Sequence, residues 1–244
     1  MEYALILAVG LVAGTISGIV GFGSSIMLMP ILVLTFGPVE AVPIMAVAAT
    51  MANFSRIVVW WREVDWHACA AYSATGVVGA ALGARTLLAL PQTLIEGLLG
   101  AFFIAMIPLR HWLLRRKLKL NRAHMAIAGF IIGYITGIVV STGPLSVPVF
   151  LAHGLVKGAF IATEAASSLV LYGVKLVVFH EFGALPLGIA LKGLITGSTL
   201  MVGSWLSKRF VLKLSADRFQ LMMDGLMLVS GGTMLWAALA AAMP

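Results

Sequence analysis

Charge is scarce in this sequence. Asp, Glu, Lys and Arg together supply 10% of its 244 residues, where a water-soluble domain carries about 25%. Hydrophobic residues make up 61% and the mean hydropathy is +1.07, so the chain is expected to be a polytopic membrane protein. Acidic residues are the scarcer sign, 9 against 16 basic ones. Six of the basic residues fall between Arg110 and Arg122 and four more between Lys208 and Arg218. Clustering in two short loops is how membrane orientation signals are distributed, so nucleic acid is not an expected partner. Cys69 is the only cysteine, which excludes an intrachain disulfide or a thiolate metal cluster and leaves it as a small packing residue. No Walker A sequence and no HExxH occurs, and none of His67, His111, His124, His153 and His180 pairs with another at metal-ligand spacing beside a carboxylate. Neither ATP hydrolysis, a metal nor another cofactor is expected. The N-terminus turns apolar at Tyr3 behind Glu2, without the basic start of a signal peptide, so no cleavable leader is expected.

What the chain does have is long apolar runs, and the first sets the problem. It extends from Tyr3 to Phe36, about 34 residues or roughly 51 Å of helix, against a hydrocarbon core of roughly 30 Å. It is too long for one span and too short for two. The sequence SGIVGFGSSIMLMP from Ser17 to Pro30 suggests the solution: a break at Gly21, Phe22, Gly23, Ser24 and Ser25. Irregular backbone at that depth survives only where protein or a watery cavity covers it.

Seven further apolar segments follow, at about 41–61, 67–90, 93–109, 123–151, 157–179, 184–206 and 217–243. The polar stretch Arg110–Arg122 divides the chain into a first membrane repeat, 1–109, a basic linker, 110–122, and a second repeat, 123–244. Gly14, Ser17, Gly18 and Pro30 of the first half match Gly133, Thr136, Gly137 and Pro148 of the second. The fifth segment shares the awkward length of the first and is expected to break at Ser141, Thr142, Gly143 and Pro144, since proline favours the first position of a helix and Ser or Thr the place before it. Gly10, Gly14 and Gly18 read instead as close-packing glycines. Both basic loops should lie in the cytoplasm, yet three segments separate them. One of the three must return to the side it came from, and the broken fifth segment is the candidate. The fold class expected is therefore all-α, with two inverted repeats of four segments whose first segments are broken or re-entrant. Trp60, Trp61, Trp66, Trp112 and Trp205 then fall near the inner interface and Trp236 near the outer one.

Discontinuous helices in inverted repeats are how secondary transporters hold a substrate near the bilayer midplane. A helix N-terminus offers N–H groups and about half a positive charge, so two of them aimed at one point suit a small anion. Gly21, Gly23 and Gly143 would let backbone approach it, while Ser24, Ser25, Ser141 and Thr142 add hydroxyl groups. Asn53 is a further pathway candidate. Charged residues inside spans face cavities or one another; here they are Arg56, Glu164, Lys175 and Lys192. Arg56 lies close enough to Trp61 to snorkel to the interface. Glu164 shares a helical face with Ser167, Ser168 and Lys175. On that face Glu164 could carry a proton and Lys175 attract the anion; alternatively Glu164 pairs with Lys192 to hold the bundle.

The stretch GIVGFGSSIMLMP resembles the Gly-rich signature of the TauE/SafE sulfite exporter family, whose usual form is near SGxxGxGGGxxxxP. The duplicated plan, the basic central loop and the Val64, Asp65, Trp66 turn extend the likeness over nearly the whole chain. Two of the usual glycines are Ser24 and Ser25 here, and the second copy is reduced to GIVVSTGPLSVP. The resemblance implies a multi-pass transporter of the cell membrane, with lipid around it and sulfite, sulfoacetate or another organosulfonate as substrate. A membrane-embedded enzyme, a structural subunit and an anion channel are the rival classes. An enzyme would need paired reactive groups at one depth, and none is apparent. Oligomeric state stays open, a homo-oligomer included.

The charge argument yields a direct test. With Cys69 replaced first, cysteines placed at positions 115 and 213 should react with a membrane-impermeant reagent from the same side. Labelling from opposite sides would eliminate the re-entrant arrangement.

Overall fold

The computed structural model describes residues 2–20, 23–115, 119–139 and 142–207, with scattered positions between 221 and 239. Among these the chain is helical: α1 Glu2–Val20, α2 Ser24–Trp60, α3 Trp66–Leu88, α4 Gln92–Arg115, α5 Arg122–Ile138, α6 Gly143–Ala152, α7 Lys157–Glu181 and α8 Leu187–Ser207, with a 3-10 turn at Trp61–Glu63. No strand occurs among the described residues. Val39–Glu63, Lys157–Glu181 and Leu187–Ser207 are long and apolar enough to cross a membrane. Gly21, Phe22, Ser141 and the loop Lys208–Arg218 lie outside the described residues, as does most of the eighth apolar segment.

Breaks interrupt both over-long segments. α1 stops at Val20 and α2 starts at Ser24; α5 stops at Ile138 and α6 starts at Gly143. Two boundaries differ from expectation. Ser24 and Ser25 are helical rather than part of the break; at the other break Gly143 and Pro144 open α6, the place expected for a proline, whose missing N–H has no carbonyl to meet there. No loop separates the first two apolar segments; instead α2 runs on to Trp60 with a kink at Gly37, whose φ of 76° and ψ of 161° interrupt the helix. Glycine alone enters that region freely, and the extended ψ is what the following Pro38 requires of its neighbour. Pro38 then begins the second half of α2. In the other half of the chain the matching fold-back is a Schellman end to α6. Gly154 N–H donates to the Leu151 carbonyl and Leu155 N–H to that of Phe150, with Gly154 at φ 98°.

Local signals fix the remaining helix starts. The Asp65 carboxylate accepts from the N–H groups of His67 and Ala68, both at 3.0 Å, and so caps α3. Asn121 and His124 form a capping box at the start of α5. The residue before that box, Leu120, is stitched to the far end of α6: its N–H donates to the Ala152 carbonyl at 2.9 Å, and its carbonyl lies 2.9 Å from His153 Nδ1.

Glycine faces decide which helices pair. α1 lies along α8 and α5 along α3. A methyl group on Gly14 would stand 2.7 Å from Leu200 Cα, and one on Gly18 would stand 2.8 Å from Ser204 Cα. On the other seam, Gly133 faces the backbone of Gly76, and Gly137 faces Ala80, Gly83 and Ala84. Apolar side chains gain nothing from packing on one another rather than on lipid, so such helices associate through backbone contact at small residues. α2 packs on α7 and α8, and α7 also meets α3, so α2 and α7 occupy the interior. α4 runs beside the described positions of the last segment, where a methyl on Gly100 would touch Gly231 and Leu235, and His111 Nε2 stands 3.3 Å from Asp224 Oδ2.

The seams predict two opposite outcomes for one chemical change. Gly137→Ala inserts a methyl 2.5 Å from Ala84 N and 2.6 Å from the Ala80 carbonyl oxygen, so overpacking should cost about 1–3 kcal/mol. Gly188→Ala meets nothing within 4 Å and should leave the melting temperature within a degree or two. Thermal melts of the two variants in detergent check the contrast.

Candidate functional site

Both helix breaks open on one cavity. Gly23, Ser24 and Ser25 at the start of α2 line it from one side, and Thr142 and Gly143 at the start of α6 from another. Gly23 has φ 110°, a left-handed conformation that lets the chain leave the break and enter α2 directly. At the start of α6 Pro144 has no N–H to offer and Leu145 N–H donates to the Thr142 carbonyl at 2.9 Å, while the aligned peptides of each helix leave partial positive charge at its N-terminus. Thr142 does not cap α6 with its side chain; its hydroxyl lies 2.6 Å from that of Thr136 at the end of α5, which ties the two sides of the break together.

Two helical stripes complete the walls. α2 folds back at Gly37 and presents Ala49, Asn53 and Arg56, while α7 presents Glu164, Ser168 and Tyr172; spacings of 3, 4 and 8 keep each set on one face. The two stripes meet through charge. Arg56 Nη1 stands 3.6 Å from Glu164 Oε2, and Arg56 Nη2 donates to Asn53 Oδ1. The other carboxylate oxygen, Oε1, accepts from Ser168 Oγ at 2.9 Å and from Ser146 Oγ of α6 at 3.2 Å. Tyr172 is hydrogen-bonded to Ser25 across the cavity. Arg56 and Glu164 are 6% and 4% exposed, and Arg56 Nε, Arg56 Nη1 and Glu164 Oε2 have no hydrogen-bond partner among the described residues. Buried polar atoms normally are paired. Three unsatisfied atoms on two facing charges, beside two helix N-termini, define a place suited to an ionic ligand.

The turn before α3 helps to set the height of Glu164. Asp65 N–H donates to Thr163 Oγ1 at 2.9 Å, anchoring α7 one residue ahead of the carboxylate. The Thr163 carbonyl accepts from Ser167 Oγ at 2.8 Å.

The residues singled out in the sequence divide accordingly. Gly23, Ser24, Ser25, Asn53, Thr142, Gly143, Glu164 and Ser168 line the cavity; Gly21 and Ser141 fall outside the described residues. Ser167 spends its hydroxyl on the Thr163 carbonyl, off the cavity wall. Lys175 is fully buried at the C-terminal end of α5, where Nζ donates to the carbonyls of Thr136 at 2.9 Å and Val139 at 3.2 Å. A cation there meets the negative end of the helix. The pairing of Glu164 with Lys192 is replaced by two separate pairs: Lys192 Nζ lies 2.6 Å from Glu40 Oε2 and 4.4 Å from the Phe36 ring centroid, beside the Gly37 kink. Arg56 does not snorkel; it turns inward to Glu164. Arg56, Ser146 and Tyr172 are the lining or supporting residues the sequence did not assign to the site. For Arg56 the available signal was Asn53 one turn back on the same face.

A polar cavity between broken helices within an apolar bundle is an arrangement that secondary transporters use. Comparison with known families specifies it further: the model of the sulfite exporter TauE/SafE family matches residues 6–234, and the chain belongs to that family. It is a membrane transporter and not an enzyme. No curated protein and no solved structure matches the chain.

The position of Lys175 predicts a stability effect. Lys175→Met removes the donor from two carbonyls at the end of α5, each costing about 1–3 kcal/mol when buried and unpaired. A lowered melting temperature in detergent should result, and an unchanged one would deny Lys175 its role in holding the break.

Proposed function

We propose that the protein is a secondary transporter of small sulfur oxyanions, sulfite and organosulfonates such as sulfoacetate, bound in the cavity between the starts of α2 and α6. The observation that carries this is the convergence of two helix N-termini on a guanidinium with unsatisfied N–H groups, since all three attract negative charge. Gly23, Ser24, Ser25, Thr142 and Gly143 bring N–H and hydroxyl groups to the anion, Asn53 and Ser168 orient its charged neighbours, and Glu164 carries the proton that couples transport to a gradient. Ser168 lies 11 residues into α7, roughly 17 Å along its axis, which supports a site near the midplane of a roughly 30 Å core.

Two inverted repeats, 1–109 and 123–244, joined by the cytoplasmic linker 110–122 into one membrane domain, would explain a reciprocity in the packing. The first helix of each half lies on a late helix of the other, α1 on α8 and α5 on α3, and each half folds back after its short helix, at Gly37 and at Gly154. The two basic loops support a multi-pass arrangement in the cell membrane.

Calorimetry on purified protein with sulfite, thiosulfate, methanesulfonate, sulfoacetate and a carboxylate of similar size is the direct test. Sulfur oxyanions should bind, and absence of binding by all of them would reject the assignment. Gly143→Val, which crowds the start of α6, should weaken binding tenfold or more, a loss of at least about 1.4 kcal/mol, while the protein still inserts.

A further inference from the structure

The Arg56–Glu164 pair is unusual in how little of it is bonded. Guanidinium groups carry five N–H donors in a planar fork. In Arg56 Nη2 donates to Asn53; Nε and Nη1, which lie on different edges of the guanidinium, have no hydrogen-bond partner among the described residues. Glu164 approaches Nη1 with Oε2 at 3.6 Å, beyond hydrogen-bond range. It cannot close the gap freely, because Oε1 is held by Ser146 and Ser168. A carboxylate able to chelate Arg56 instead stands off from it and leaves Nη1 open to an oxygen of an oxyanion.

We propose that Arg56 is the charged ligand of the transported anion and that Glu164 is an internal substitute for that anion, exchanged against it. This rests on the anion site proposed above and adds how that site recognises and releases its ligand. On arrival, an oxygen of the anion takes Nη1 of Arg56 while the starts of α2 and α6 bind the rest. Glu164 is thereby separated from its cation in a place that holds a bare carboxylate poorly, and it takes one proton from the solvent side through which the anion came. The groups facing it are Arg56 from α2, Tyr72 from α3, Ser146 from α6 and Tyr172 and Ser168 from its own helix. Among these Arg56 is the only cation. The serine hydroxyls accept as well as donate, so protonated Glu164 keeps partners. The charge balances: guanidinium plus carboxylate sums to zero before, and guanidinium plus a monovalent anion plus a neutral acid sums to zero after. One anion therefore enters with one proton, and departure of both restores the pair.

Methanesulfonate, whose own charge is constant between pH 6 and 9, and sulfite are the probes, with binding followed by calorimetry and proton uptake by an indicator dye in weakly buffered detergent solution. For wild type, each methanesulfonate bound should take up close to one proton, and affinity should fall up to tenfold per pH unit on the alkaline side. Glu164→Gln should abolish the uptake and flatten the pH profile, because the competing charge is gone. Arg56→Gln should lose a hundredfold or more in affinity for both probes. Because Arg56→Gln strands a buried carboxylate, the double variant Arg56→Gln with Glu164→Gln carries the same test in a neutral site. Wild-type binding without proton uptake overturns the exchange. Wild-type affinity in either Arg56→Gln background, with Gly143→Val still impaired, overturns the role of Arg56 and leaves the anion site standing. No binding of either probe by wild type at any pH overturns both.

Discussion

Two opposite charges held out of water, 3.6 Å apart in the middle of an apolar bundle, are the constraint to which the rest of the structure answers. Removing each ion from water costs several kcal/mol. Their mutual attraction, about 4 kcal/mol at 4 Å with an effective dielectric of 20, does not cover both. The surrounding helices supply the remainder as directed polar groups: Asn53 on the guanidinium, Ser146 and Ser168 on the carboxylate, and the starts of α2 and α6 alongside. These contributors come from three helices, α2, α6 and α7, so the pair depends on both helix breaks, the fold-back at Gly37 and the anchor from Asp65 to Thr163 together. The site is thus a product of the whole fold rather than of any motif within it.

The glycine seams serve the same end from outside. By letting α1 reach the backbone of α8 and α5 that of α3, they form tight pairs around α2 and α7 without bulky side chains. α2 and α7 then carry the polar stripes inward, Ala49, Asn53 and Arg56 facing Glu164, Ser168 and Tyr172. Ordinary ion pairs manage the charges elsewhere, as Lys192 does with Glu40 beside the Gly37 kink, and Lys175 is absorbed by the carbonyls that the end of α5 leaves unpaired. Each of these cations therefore has a distinct physical solution, and among the described residues only Arg56 keeps buried cationic nitrogens without a hydrogen-bond partner.

Much of this was legible in residue order. Run length alone required breaks near Gly23 and Gly143, because no helix fits 34 apolar residues into a bilayer once. Pro144 and Thr142 marked the start of α6 by ordinary capping rules, and Gly14 and Gly18 announced a close seam. Partner choice was not legible. Glu164 has one candidate cation on its own helix and others at Lys192 and Arg56, and helical periodicity says which residues share a face but not which face another helix will present. Lys175 lies on a plausible stripe with Glu164, yet its long stem reaches the end of α5 instead. The kink at Gly37 escaped notice because a glycine followed by proline commonly marks a loop, and here the helix resumes at once.

The seams have a mechanical consequence. Where glycines recur every fourth residue, as at Gly129, Gly133 and Gly137 against Tyr72, Gly76 and Gly83, the two backbones mesh like a rack whose teeth are about 6 Å apart. A slide of 1 or 2 Å would drive the side chains between those glycines into the opposing backbone, so α5 and α3 can hold their register or jump a whole tooth, with nothing stable in between. Gradual creep is thereby denied to the outer pairs.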